Sequence, residues 1–397
     1  MAESKTNKSK TESKPKGKKI SRVLDLRGNL LKLRASMAEK PRKLTKLTKP
    51  EGKTPKPTSL RRSADNPIIE PSPHQYWESK ATFNPSAVYA DGKVHLIYRA
   101  IGEADVSVLG YASSKDGLTI DERSPKPAFF QSTIFSPDRS ASLPVSYSSG
   151  GGWNGGCEDP RLTKIDDRVY MLYTSFDGWS AIRIALTSIS FDDFIRKRWY
   201  WSKPVFISPP GTINKNWVLF PEKIKGKYAI LHGISPRIGI DYVKALTEFD
   251  GTNYIRSATP SGKGNADSWD TSLRGVGPAP IKTEYGWLVL YHAMDVKDPN
   301  RYKLGAMLLD LAEPTKIIAK AKNPVLEPDE WYENEGFKSG VVYACGAAVV
   351  DDTLFVYYGG ADKVVCVASA NLPLFLKELI SSHSPKITRS RVKAITA

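Results

Sequence analysis

The sequence predicts an all-β protein, a five-bladed β-propeller behind a disordered basic N-terminal extension, on three observations. Five short apolar-aromatic runs end alike on Tyr or His: Gly92–Tyr98, Asp167–Tyr173, Gly226–His232, Gly286–Tyr291 and Thr353–Tyr358, with closing residues 75, 59, 59 and 67 positions apart. A strand ending that returns every ~60 residues marks a repeat architecture, and a four-stranded propeller blade fits in about that length. Upstream of each run stands a Pro or Gly step before an apolar pair: Asn84-Pro85, Asp159-Pro160, Phe220-Pro221, Gly277-Pro278 and Cys345-Gly346. Lastly, Asp91-Gly92, Asp116-Gly117, Asp177-Gly178 and Asp250-Gly251 are hairpin-turn dipeptides, and their density argues for antiparallel structure throughout.

Taken in order, residues 1–65 form the extension. They hold 20 Lys and Arg against 6 Asp and Glu, so 14 of the 16 net positive charges lie there, while residues 66–397 hold 38 against 36. Without Trp, Tyr or Phe, the extension cannot bury enough apolar surface to offset its ordering entropy. Val23, Leu24, Leu26, Leu30, Leu31 and Leu33 could make one amphipathic helix within Ile20–Met37. Two readings of this arm stand: a contact for a polyanion, nucleic acid or anionic membrane, or a solvated extension. No aromatics interleave the lysines, which removes the usual stacking platform for single strands.

Residues 66–380 are expected to be the propeller. Each repeat opens on a special residue and a turn, runs as an inner strand and turns back into the aromatic run. In a propeller the inner strands line a central channel and their starts gather at one mouth. Asn84, Asp159, Phe220, Gly277 and Cys345 are therefore expected as neighbours. Residues 124–156, rich in Ser, Pro and Gly, read as a long inserted loop. Leu372–Ser381 reads as a closing helix, and residues 381–397 as a basic C-terminal tail.

Cys157, Cys345 and Cys366 lack CxxC spacing, against both a disulfide framework and a zinc site. No run of about 18 apolar residues suggests a membrane span. No apolar stretch follows directly behind the N-terminal charge, so the reading expects no secretory signal and a cytoplasmic protein. There is no Gly-rich phosphate loop, GxSxG, HExxH or Asp-rich calcium loop, so no metal or nucleotide cofactor is expected.

The candidate chemistry begins at Glu158-Asp159-Pro160-Arg161. A carboxyl group at a strand start, shielded from water, can have its pKa raised and act as a general acid. The plainer reading is a turn with an Asp159–Arg161 salt bridge. Arg99, Lys215, His232, Arg274 and His292 follow the repeated elements and add cations and hydrogen-bonding rings at the channel, although Arg99 could simply pair with Glu103. Trp153, Trp217, Trp269 and Tyr291 could offer ring platforms to sugars.

With these residues in view, the body resembles glycoside hydrolase family 130, the β-mannoside phosphorylases and related β-mannosidases. The matching segments are Phe83–Val88, Leu96–Ala100, Glu158–Arg161, Leu219–Ile224, Gly275–Lys282, Tyr302–Asp310, Asn323–Pro328 and Tyr357–Asp362, in family order from about residue 66 to 371. The resemblance implies a five-bladed propeller in which Asp159 is the sole general acid, acting through a sugar hydroxyl while phosphate attacks the anomeric carbon with inversion. Inorganic phosphate is then a co-substrate, held at positions resembling Arg99, Lys215 and His232, and mannose 1-phosphate is a product. Asn84, Tyr291 and Asp362 look like sugar-binding positions, and Arg274 and His292 are added to them here as substrate-binding residues on the oligosaccharide. The chain departs from the pattern at Ser107-Val108 and His232-Gly233, where members often carry Ser-Arg and His-Arg, and at Phe337–Tyr343. Arg237 and Lys338 are the cations at hand to compensate. Two alternatives remain: inverting hydrolysis with Glu222, Glu335 or Asp362 as the second carboxylate, and a non-catalytic glycan-binding propeller.

Overall fold

Antiparallel hairpins make up nearly all of the chain described by the computed structural model, which covers residues 60–131, 152–179, 182–256, 262–264 and 268–382. The expected helix within Ile20–Met37, the basic tail from 383 onward and most of the 124–156 loop lie outside these residues.

A two-residue strand, β1 (Arg61–Arg62), comes first. The first hairpin group is β2 (Ala81–Ala90), β3 (Lys93–Ile101), β4 (Ser107–Ser114) and β5 (Glu122–Arg123). The second is β6 (Gly156–Ile165), β7 (Arg168–Phe176) and β8 (Ile182–Ser190), then α1 (Phe191–Ile195) and β9 (Val205–Phe206). The third holds β10 (Val218–Leu219), β11 (Tyr228–Gly233) and β12 (Gly239–Val243). The fourth holds β13 (Ser272–Val276), β14 (Ile281–Thr283), β15 (Gly286–Asp295), β16 (Asp298–Leu309) and β17 (Ile317–Lys320). The fifth is β18 (Val342–Val350), β19 (Thr353–Gly360) and β20 (Val364–Asn371), closed by α2 (Leu372–Ser382) where the sequence predicts a helix.

β1 pairs with β20, so the fifth group runs β1-β20-β19-β18 and Arg61–Arg62, expected to be extension, forms a strand of the last group. One parallel pair, Ser107 with Gly156, joins the first two groups into one sheet. Among the described residues there are four sheets, none closed on itself. The apolar cores lie between groups. Successive groups share cores centred on Ile97 and Met171, Leu172 and Ile230, Leu231 and Val289, and Leu290 and Val356. A fifth core, with Leu96 and Tyr357, packs the last group against the first. No helix among the described residues is long and apolar enough to cross a membrane.

Turn chemistry follows the sequence in part. Asp91 and Gly92 both take positive φ (49° and 69°) between β2 and β3, as a tight hairpin turn requires. Asp250-Gly251 instead follows a short 3-10 turn, Leu246–Glu248, and joins no two strands.

The repeated aromatic runs are the second strands, β3, β7, β11, β15 and β19, and their closing tyrosines have a structural use. Tyr98 donates to Glu78 across 2.7 Å, Tyr291 to Asp270 across 2.8 Å and Tyr358 to Glu333 across 2.8 Å. Each carboxylate is fully buried and paired with a cation on an outer strand: Arg123 at 2.9 Å, Lys320 at 2.6 Å and Arg62 at 2.7 Å. A buried carboxylate is tolerable only when paired and hydrogen-bonded, and these clasps tie the second strand to the outer edge of three groups. Gly110 and Gly305 lie opposite Tyr98 and Tyr291, where a Cβ would fall 2.3 and 2.4 Å from the phenol ring.

Candidate active site

Irregular first strands build the site. The ladder slips between Phe83 and Ser86 in β2, between Glu158 and Arg161 in β6, between Leu273 and Gly275 in β13, and between Ala344 and Gly346 in β18. The skipped residues include Asn84, Asp159, Arg274 and Cys345. A bulge re-aims a side chain, and it accommodates Pro85 and Pro160, which have no N–H for the ladder. Asn84 and Asp159 take φ of 49° and 50°, a left-handed conformation that Asn and Asp tolerate better than other side chains. In the third group Asn216, φ 64°, stands just before β10.

Asn84 and Asp159 meet directly. Asn84 Nδ2 donates to Asp159 Oδ1 at 2.7 Å, and Arg99 Nη1 reaches the same oxygen at 3.4 Å. Both bonds fall on Oδ1. Arg99 is buried under the site. It also donates to Glu158 at 3.0 Å and Ser107 Oγ at 3.0 Å, and lies 4.8 Å from the Phe83 ring centroid. The expected Arg99–Glu103 pair is absent: Glu103 lies with Ser79 and Lys80. The Asp159–Arg161 salt bridge does not form either. Arg161 is buried and donates to the carbonyls of Val276 and Gly277 and to Asn216 Oδ1, fastening β6 to β13 and to the entry of β10.

Asp362 enters from the turn between β19 and β20, where Ala361 and Asp362 both have φ near +50°. Burial pushes its carboxyl up to about 6. The Asp159 carboxylate adds to the rise, and Lys338, Arg99 and Lys215 oppose it. Lys338 is fixed beside it: its backbone N–H donates to Ala361 O at 3.1 Å and its Nζ lies 4.5 Å from the Tyr302 ring centroid. Arg274 holds the same tyrosine, donating from Nε to Tyr302 Oη at 2.6 Å. Of the second-carboxylate candidates, Asp362 is buried, whereas Glu222 pairs with Lys282 on the surface and Glu335 is exposed.

Lys215, His232 and Arg274 share a cleft of about 580 Å³ with Trp217 and Arg256. His232 Nε2 lies 2.8 Å from Asp241 and its ring packs 5.6 Å from that of Trp217. Burial lowers its pKa against the pull of Asp241, which keeps the imidazole neutral at pH 7.

Two sequence-predicted residues stand elsewhere. Tyr291 is fully buried in the Asp270–Lys320 clasp, stacked on Trp269, and does not face the cleft. His292 is fully buried, accepts the Ala344 N–H on Nε2 at 2.9 Å and stacks on Tyr343 with ring centroids 4.1 Å apart. Burial, with Arg161 and Lys215 nearby, pushes its pKa well down, so it is a neutral tie between β15 and β18. Of the residues expected as neighbours, Phe220 packs edge-on against Trp287 in the core, and the Gly277 carbonyl accepts from Arg161. Of the proposed sugar platforms, Trp217 is buried and Trp153 is exposed. Arg237 is exposed and lines no part of the cleft. Asn216 was missed as a site builder. Asn216 could have been found, because an asparagine at the head of an apolar run carries the same left-handed tolerance as Asn84.

The model for glycoside hydrolase family 130, described as β-1,4-mannooligosaccharide phosphorylase, matches residues 59–378. The chain is 41% identical over 319 residues to a 1,2-β-oligomannan phosphorylase of Thermoanaerobacter sp. (strain X514), covering 78% of this chain and 96% of that one. It is 29% identical over 335 residues to a β-1,4-mannooligosaccharide phosphorylase of Ruminococcus albus, covering 80% and 90%. Among solved structures, the β-1,2-mannobiose phosphorylase of Listeria innocua in complex with β-1,2-mannobiose superposes with a TM-score of 0.62 at 26% identity, covering 81% of this chain and 99% of that one.

Proposed function

The chain belongs to glycoside hydrolase family 130 and is a glycoside phosphorylase, and from that premise we propose that it cleaves β-1,2-linked mannosides by inverting phosphorolysis with Asp159 as general acid. The β-1,2 linkage is taken from the 41%-identical Thermoanaerobacter enzyme over the 29%-identical β-1,4 enzyme.

In the reaction, a phosphate oxygen attacks the anomeric carbon from the face opposite the glycosidic bond. That bond breaks, its electron pair stays on the leaving oxygen, and the Asp159 proton reaches that oxygen through a sugar hydroxyl. The products are α-mannose 1-phosphate and the shortened acceptor. Phosphate brings its own negative charge to the attack, so one carboxylic acid serves where an inverting hydrolase needs two carboxyl groups. Arg99, Lys215 and His232 hold the phosphate, and Asn84, Asp362 and Arg274 hold the sugar. Neutral His232 gives its one N–H to Asp241, so it donates to the anion from Nδ1 only as the imidazolium that an arriving phosphate dianion favours. No further cofactor is required.

On the same reading the fold is a five-bladed propeller of residues 66–380, to which β1 (Arg61–Arg62) is added to complete the last blade. Five cores between consecutive groups, including one between the fifth and the first, support that arrangement. The observation that carries the functional reading is the meeting of Asn84, Arg99 and Asp159 at bulges of the first two groups.

The test is product analysis on β-1,2-mannobiose with and without phosphate, for the native protein and Asp159→Asn, which keeps a residue suited to positive φ. Mannose 1-phosphate formed only with phosphate and lost in the variant is the expected result. Free mannose released regardless of phosphate would replace phosphorolysis with hydrolysis and turn attention to Asp362. Binding of the disaccharide without turnover would leave a glycan-binding protein.

A further inference from the structure

The cleft that holds Lys215 and His232 is large for the anion assigned to it. Its volume of about 580 Å³ falls in the range that encloses a whole small-molecule ligand. Three basic residues, Lys215, Arg256 and Arg274, line it beside His232, and no carboxylate stands among the described residues of its wall.

Each cation has a local anchor. Lys215 sits between Asn214 and Asn216, both buried. Arg274 is braced on Tyr302. Arg256 follows Ile255, a buried core residue whose N–H donates to Ile207 O at 2.9 Å, so the arginine leaves a fixed point of backbone. Its guanidinium lies 5.9 Å from the Tyr254 ring centroid, and the residue is exposed at the rim. Like charges gathered around one cavity repel, and an entering anion relieves that repulsion. A cleft of one sign with low-dielectric walls also focuses its field outward and raises the local concentration of the ligand.

We propose that Arg256 is a further phosphate-binding residue, placed at the cleft mouth to capture the anion and deliver it to Lys215 and His232. The inference rests on the phosphorolytic reading above. The recognised chemistry is a phosphate dianion, either free phosphate in cleavage or the phosphoryl group of a sugar 1-phosphate in synthesis.

The experiment uses the full chain, as native protein, Arg256→Ala and Arg256→Lys. Cleavage rates are measured against inorganic phosphate and synthesis rates against mannose 1-phosphate, each at low and high salt. Removing one charge-assisted contact is expected to raise the KM for the phosphate ligand about tenfold, with the mannoside KM little changed and Lys recovering most of the loss. The salt dependence of native kcat/KM should shrink in Arg256→Ala. A change in only one direction of reaction would tell free phosphate from sugar phosphate as the ligand captured. An unchanged phosphate KM with unchanged salt dependence would overturn the assignment. Calorimetric titration with inorganic phosphate separates the two readings. Binding weakened in Arg256→Ala without any phosphorolysis would support the anion site and sink the proposed reaction. Binding equal in the two proteins, or absent from both, would sink Arg256.

Discussion

Asn84 donates its side-chain N–H to Asp159 Oδ1 across 2.7 Å, and the two residues hold nearly the same left-handed backbone, φ 49° and 50°, at matching bulges of the first and second strand groups. Each is followed by a proline that cannot join the ladder. A repeat that supplies the same bulge twice thereby places a donor against a carboxylate 75 residues away.

That pair makes the first prediction. Asn84→Ala removes a hydrogen bond to an ionisable group, about 1.5–3 kcal/mol, and should lower kcat/KM about ten- to a hundredfold. Asn84→Asp sets a second carboxyl group where the donor stood. Two carboxylates so close cannot both ionise, so the pair retains a shared proton to higher pH. The alkaline limb of the pH–rate profile should therefore move upward in Asn84→Asp. A profile that superimposes on the native one would remove Asp159 as the titrating acid.

The second prediction concerns Arg99 and Glu158, both buried and joined at 3.0 Å. Arg99→Met removes the cation held 3.0 Å from Glu158 and 3.4 Å from Asp159, and breaking a buried pair costs about 3–5 kcal/mol. Urea unfolding should show that loss, and Arg99→Met/Glu158→Gln should regain much of it while activity stays low. Equal stability of the single and double variants would mean that the two charges are not coupled in the fold.

The all-β class, the fivefold recurrence and the closing helix were legible because strand period and turn dipeptides are local signals. Asp159 stood out as a carboxylate before a proline, but the bulge in β6 that sets it beside Asn84 did not. Neither did the partners of buried cations. Arg99 sits within reach of Glu103 in sequence yet pairs with Glu158, because the bulge in β6 turns that carboxylate inward. The repeat itself misled at Tyr291 and His292. Recurring aromatic strand ends suggested a channel lining, whereas the recurrence serves the buried Tyr–carboxylate–cation clasps, whose carboxylates come from loops with no shared motif.

Tyr291 gives the third prediction. Tyr291→Phe deletes a donor to the buried Asp270 and should destabilise the protein by about 1–3 kcal/mol, read as a lower urea midpoint. The KM for mannoside should not move. A raised KM in a protein of native stability would return Tyr291 to the sugar site.

The last prediction follows from Asp362, whose carboxyl burial lifts to about 6, above an unfolded value near 3.9. Between about pH 4 and pH 6 the folded protein keeps a proton that the unfolded chain has released. Folding stability from this group is therefore present in full below about pH 4 and is lost as pH rises through 6. The shift of roughly two units bounds the loss at about 3 kcal/mol. Asp362→Asn does not titrate and tolerates the same positive φ, so native stability minus variant stability should fall by up to that amount between pH 4 and pH 7. His292 works in the opposite direction. Its pKa is depressed by burial, so stability falls as pH drops below about 6.5. That contribution is common to both proteins and cancels in the difference. A difference that stays flat across the window would show that Asp362 is ionised in the folded protein well below pH 6, and would leave it ready to accept hydrogen bonds from sugar hydroxyls at every pH where the enzyme works.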